Sequence, residues 1–265
     1  MEKAYLITHN TNLEKDFSNF DRLYIWDQYC EHNLFYFLDN EIFINRIIVL
    51  NKKITITTPI ISEKWIIKFF IFLNNFLEKT KNTNMDLEIV VNEQWIFFKL
   101  YNEYNNIKIV WGNFLSGQNK DPYLKNFIDK NEHKYISIDS NYYTNLFISK
   151  NIDRIELYNV FQWIEMENNI EINLYFPFVI YSINRYCITA LINQNKKYLE
   201  IVENCIWCKD IEKNDFDMEL NIWEKNIKQY FRWNKQFYQN DKLIVYKNVK
   251  RIIYNYDLII ENISK

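Results

Sequence analysis

Three of the four cysteines in this 265-residue chain fall in one stretch, Arg185-Tyr-Cys187 followed by Cys205-Ile-Trp-Cys208. Thiolate is the soft donor that zinc and iron–sulfur clusters both accept, and Cys-x-x-Cys is a short signature of such ligand sets. The fourth cysteine, Cys30, stands far upstream, so a site using all four must be assembled by folding. A structural zinc site ordinarily uses two short paired knuckles. Here one pair and two isolated cysteines favour a bulkier iron–sulfur cluster, with zinc as the alternative and plain buried cysteines as the third reading. His32 lies close to Cys30, as a substitute ligand or an ordinary loop residue. Arg185 suits an anionic substrate or the sulfurs of a cluster, and equally a surface ion pair. Trp207, between two candidate ligands, would keep water from the site.

Composition bounds what such a site can serve. Apolar residues make up 48% of the chain, aromatics 18% and charged residues 25%, which describes a globular protein with a sizeable core. A net charge of −2 and a pI near 6.0 exclude nucleic-acid binding driven by bulk charge. No basic-then-apolar leader opens the chain, and its most apolar run, Trp65 to Leu73, is broken by Lys68. That is too short for the roughly 20 residues of a membrane span. The expectation is a soluble cytoplasmic protein, where reduced cysteines serve as ligands and not as disulfides.

The elements that must position these residues read as short strands alternating with helices. Strands are expected at 5–8, 54–57, 87–91, 107–111, 135–139, 154–158 and 171–175, and 20–27 is a further apolar, aromatic run. Helices are expected from a Ser62 cap to Glu78, through Tyr104, and over 142–149, with a helical turn at 160–166. Six or seven parallel strands without a Gly-x-Gly-x-x-Gly fingerprint predict an α/β fold, an open or partial TIM-like (β/α) barrel. Residues 1–208 would form the barrel, and 209–265 a C-terminal α+β extension packed on it, with strands at 243–246 and 251–254. Barrel active sites gather at the C-terminal ends of strands. Thr58, Asn92, Asn113, Asp139, Tyr158 and Tyr175 fall at such ends, with Glu156 close by. Asn92, Asn113, Glu156 and Arg185 are the candidate substrate-binding residues. Trp223 and Trp233 could offer a stacking platform, though ordinary packing explains them as well. No Gly-x-Ser-x-Gly or His-Glu-x-x-His occurs, so no protease constellation is present.

Several stretches, in order, carry a resemblance to a known family. They are Glu88-Ile-Val-Val-Asn92-Glu93, Ile109-Val-Trp-Gly112-Asn113 with Gln118-Asn119, Asp153-Arg-Ile-Glu-Leu157, Asn173-Leu-Tyr-Phe-Pro177 and the cysteine cluster itself. Together with the lone early Cys30, they resemble the collagenase-like peptidase family U thirty-two. The similarity is greatest to its small iron–sulfur members of oxygen-independent ubiquinone hydroxylation. The resemblance implies a 4Fe–4S cluster held by Cys30, Cys187, Cys205 and Cys208. It further implies oxidation or hydroxylation of an aromatic small molecule or RNA base, in company with a homologous barrel partner subunit. The glycine-rich, histidine-containing stretch of larger members is absent, so peptidase activity is not expected. The runner-up is a non-enzymatic binding or scaffold protein with a structural cluster or zinc.

Overall fold

A computed structural model describes residues 1–8, 11–25, 28, 30, 40–61, 63–122, 136, 138, 140–161, 169–183, 216–222, 225–232, 235–245 and 247–256. Seven parallel strands follow one another: β1 (Glu2–Ile7), β2 (Arg22–Ile25), β3 (Lys53–Thr57), β4 (Leu87–Val91), β5 (Lys108–Trp111), β6 (Arg154–Tyr158) and β7 (Glu171–Phe176). Among the described residues four helices lie in the crossovers after β2, β3, β4 and β5: α1 (Glu41–Val49), α2 (Glu63–Thr80), α3 (Gln94–Glu103) and α4 (Asn141–Ser149). Beyond β7 come β8 (Phe178–Ile183), β9 (Phe216–Ile222), β10 (Lys225–Arg232) and β11 (Lys235–Gln239), which form an antiparallel sheet in the order β8-β11-β10-β9. β12 (Val249–Tyr254) then returns to pair in parallel with both β7 and β1.

That last pairing closes an eight-stranded parallel barrel. The expected open or partial barrel is therefore corrected to a closed one. Its eighth strand comes from 249–254, inside the stretch read as a C-terminal extension. The apolar Ile252-Ile253 pair beside Arg251 is what a strand buried on both faces requires. Of the expected strand at 135–139 only Ile136 and Ile138 are among the described residues. β5 pairs directly with β6, and Ile136 makes only an isolated antiparallel bridge to Gln118. The Gln118 side chain occupies the edge instead, accepting from Tyr158 N and donating to Tyr158 O, both at 2.8 Å. Nor are 243–245 a strand. Ile244 N donates to the Asn159 side chain at 3.0 Å, and Lys242 O accepts from it at 3.0 Å. The helical turn read at 160–166 lies almost wholly outside the described residues.

Strand residues alternate between two cores. One set faces the helices: Trp111 meets Phe97 and Phe147 edge-on at 5.4 and 5.3 Å. The other set points inward and carries the polar residues. Contacts between strands that are not neighbours, Arg251 to Glu88 and Asn173 to Tyr24, can only cross the lumen.

Candidate functional site

The barrel interior is stacked in layers, and its charges sort by depth. At the N-terminal ends of the strands Arg251 bonds both Glu88 oxygens, Glu2 Oε2 at 2.5 Å and Tyr24 OH at 2.7 Å. Arg22 reaches Glu2 at 3.2 Å and Asp86 at 2.7 Å, while Arg154 binds Glu171. Thr55 donates to Glu88 at 2.7 Å. Burial alone would raise the Glu2 carboxyl, but Arg251 and Arg22 outweigh it and hold its pKa at about 2. This end is a fully paired ionic plug.

The middle layer has no such balance. Glu156 is fully buried halfway along β6, two residues before the strand's end. Its Oε2 accepts from Tyr175 OH at 2.7 Å, while its Oε1 has no hydrogen-bond partner. Burial is the main cause that drives its pKa up to about 8; the Tyr175 bond opposes the shift and the Glu88 charge adds to it. At neutral pH Glu156 is therefore mostly a neutral acid. Its register partner on β7, Asn173, donates to Tyr24 OH at 3.0 Å, and its Oδ1 is likewise buried and unpaired. The bonds from the Tyr175 and Tyr24 hydroxyls and the Arg251 charge favour the anion, but burial outweighs them and keeps the proton on Glu156. Burial also raises the Tyr24 and Tyr175 hydroxyls far above their ordinary range, so both stay protonated.

The C-terminal mouth is a belt of amides. Gln28 donates to Tyr158 OH at 3.1 Å, and Asn92 Nδ2 donates to Gln28 Oε1 at 3.1 Å and to Thr58 O at 2.7 Å. Asn92 Oδ1 accepts from Phe114 N at 3.2 Å. Asn92 thus spends its whole side chain on the protein. Asn113 is equally buried, yet both of its side-chain amide atoms lack partners. Tyr158 packs on Tyr175 with centroids 5.0 Å apart, and Lys120 Nζ sits 5.1 Å from the Tyr158 ring and 5.5 Å from that of Phe114. Cys30 is half-buried and lies two residues beyond Gln28.

Gly112 makes the belt possible. A Cβ there would stand 2.2 Å from Asn92 Oδ1 and 2.6 Å from Val91 O, and the backbone oxygen cannot swing aside. Gly112→Ala is expected to cost about 1–3 kcal/mol through overpacking, read as a lowered midpoint in chemical denaturation. A variant as stable as the parent would show that Asn92 is not held in place.

Of the residues singled out in the sequence, Asn92, Asn113, Glu156 and Cys30 belong to the barrel's interior and mouth. Arg185, Cys187, Cys205, Cys208, Trp207, His32, Asp139, Trp223 and Trp233 lie outside the described residues. Among the described residues no three His, Cys, Asp or Glu side chains are grouped to hold a metal. Of the four expected thiolates one is therefore placed, a soft donor at the mouth. Gln28 and Lys120 escaped the sequence reading, and Gln118 entered it only as part of the resemblance. The available signal for Gln28 was its position just beyond the expected run at 20–27. A groove of about 390 Å³ between Leu13, Ile42, Arg46 and Val49 lies outside the barrel and shares no residue with this site.

Comparison with protein-family models, with curated proteins and with solved structures gives no family to which these features can be assigned. None of the three finds a match. The site must be read from its own chemistry.

Proposed function

We propose that the chain is a TIM-like (β/α) barrel protein whose active site opens at the C-terminal ends of its strands. We further propose that it belongs with the iron–sulfur proteins that oxidise or hydroxylate an aromatic ring, or an RNA base, without oxygen. The helices in four successive crossovers support the barrel class. The observation that carries the functional reading is the neutral acid Glu156 beneath a floor of tyrosine rings, with Cys30 at the same mouth. Tyr158 and Tyr175 are themselves buried, and the half-exposed Phe114 beside them is the ring an aromatic substrate would meet at the mouth. Glu156, bonded to the Tyr175 hydroxyl, holds a proton that can be delivered to, or shared with, a polar atom above it. Asn113 and Asn92 are the binding candidates from the neighbouring strands, and Arg185 from the later segment.

Cys30, Cys187, Cys205 and Cys208 would hold a 4Fe–4S cluster, which supplies one-electron transfer when bound. A homologous barrel is the proposed partner. The outer faces of α2 and α3 expose Ile67, Ile71, Trp95 and Phe98, apolar surface that a partner would cover. A reducing cytoplasm is the compartment that suits four thiolate ligands. No helix among the described residues is long and apolar enough to cross a membrane.

One observation favours the second reading, a non-enzymatic binding protein with a structural cluster or zinc. The Gln28–Asn92–Thr58 belt is satisfied by protein groups alone. Metal analysis after anaerobic purification separates the cofactors. The first reading expects a coloured protein with iron and acid-labile sulfide in equal amounts, and a colourless protein with stoichiometric zinc would overturn it. Cys30→Ser is expected to lose most of the bound metal. Unchanged content would remove Cys30 from the ligand set.

A further inference from the structure

Several described lysines have a conventional partner. Lys79 pairs with Glu41 at 2.7 Å, Lys99 with Glu103 at 2.6 Å and Lys108 with Asp153 at 3.1 Å, while Lys15 bonds the Tyr5 hydroxyl at 2.6 Å. Lys120 is different. Among the described residues no carboxylate lies within ion-pair distance of it, and its amine is set between the rings of Phe114 and Tyr158. Ring faces attract an ammonium by about 0.5–2 kcal/mol, which replaces only part of the water that the amine gives up there. The side chain is half-buried beside these rings, and burial lowers its pKa to about 8. A sizeable fraction is thus the neutral amine under physiological conditions, the form that has a lone pair to share.

The location matters as much as the protonation. Tyr158 is the last residue of β6, and its ring stacks on Tyr175, whose hydroxyl bonds Glu156. Lys120 therefore sits over the aromatic floor of the mouth, with a carboxylic acid one residue further down.

We propose that Lys120 is an amine nucleophile that condenses with the carbonyl group of a small aldehyde or ketone reaching it at the barrel mouth beside the half-exposed Phe114. The nitrogen lone pair attacks the carbonyl carbon and a C–N bond forms. The nitrogen then sheds its two protons as the carbonyl oxygen takes up two and leaves as water. The product is an imine; nothing is oxidised or reduced. This inference rests on Lys120, Phe114 and Tyr158, and does not depend on the metal reading.

The test treats the full-length chain with propanal and sodium cyanoborohydride, which transfers hydride to an imine carbon and fixes the adduct as a secondary amine. Peptide mass mapping then gives a labelling rate for each lysine. At pH 7, Lys120 is expected to react roughly ten- to a hundredfold faster than the exposed Lys99 and Lys79, from the difference in neutral-amine fraction. Its rate should level off above pH 8, while theirs keep climbing. Lys120→Arg keeps a cation over both rings, and should remove that one label while leaving the others unchanged. A Lys120 that reacts no faster than Lys99, or whose rate rises in parallel with it to pH 10, overturns the proposal. A lysine that only covers the tyrosines would be the slowest to react, which is the same negative result.

Discussion

Replacing Arg251 with Met is expected to cost about 3–5 kcal/mol of folding stability, the range for removing one partner of a buried ion pair. Arg251 is 1% exposed and serves four groups at once: both Glu88 oxygens, Glu2 and Tyr24. Without it Glu88, also buried, keeps only Arg154 at 3.5 Å and Arg22 at 3.8 Å, together with the Thr55 hydroxyl. The larger part of the loss is the exposed debt of an underpaired carboxylate and not the missing attraction. The double change Glu88→Gln with Arg251→Met should therefore recover most of the stability lost in the single one. Urea or guanidinium denaturation of the three variants measures this. A single variant within 1 kcal/mol of the parent would mean that Arg22 and Arg154 suffice.

Glu156→Gln should act in the opposite direction, and only at high pH. Unfolded, the carboxyl titrates near its ordinary 4.5; folded, near 8. Below about pH 4.5 the acid is protonated in both states, and its contribution to stability is fully present. Between the two values the folded chain holds a proton that the unfolded chain has released, so stability falls as pH rises, by about 1.4 kcal/mol per unit. Above pH 8 both states are ionised and the loss is complete. A glutamine keeps the acceptor for Tyr175 OH and cannot ionise. The variant is expected to match the parent near pH 4.5 and to exceed it by about 3–5 kcal/mol at pH 9. Stability curves that run parallel across that range would show that Glu156 is ionised in the folded protein. Catalysis gives a second readout: if the neutral acid delivers a proton, the stabilised variant loses turnover.

Most barrel strands were legible because parallel strands buried on both faces leave continuous apolar runs. Leu87–Val91 and Arg154–Tyr158 coincide with β4 and β6. The closing strand was harder. Its partners in the barrel, β1 and β7, are remote or separated from it by a whole antiparallel sheet, and nothing local in Val249–Tyr254 says which edge it will meet. Of the strand read at 135–139 only Ile136 and Ile138 are described, beside a stretch of β6 that is already capped. A side chain, Gln118, makes the two hydrogen bonds to Tyr158 that a neighbouring strand would have made. Of the candidate site, Asn92, Asn113 and Glu156 stood out by lying at or near strand ends. The ionic plug could have been found too, since Glu88 and Arg251 are charges set into otherwise apolar strands, a pattern that only a shared interior explains. Lys120 had no such mark. Its character comes from two rings that folding brings over it, and spacing in the chain carries no trace of that.

The pairing of β1 with β12 also governs the order in which this molecule can be completed. During synthesis the strand Glu2–Ile7 is made well before its partner, and the strand that must lie beside it emerges more than two hundred residues later. Until then β1 and β7 are open edges, and Glu88 waits for the guanidinium that will neutralise it. Contacts so distant in sequence slow folding and prolong the exposure of unpaired edges. The nascent chain is thus held short of its native state until the last strand arrives, and it is in that interval that a chaperone would have the most to protect.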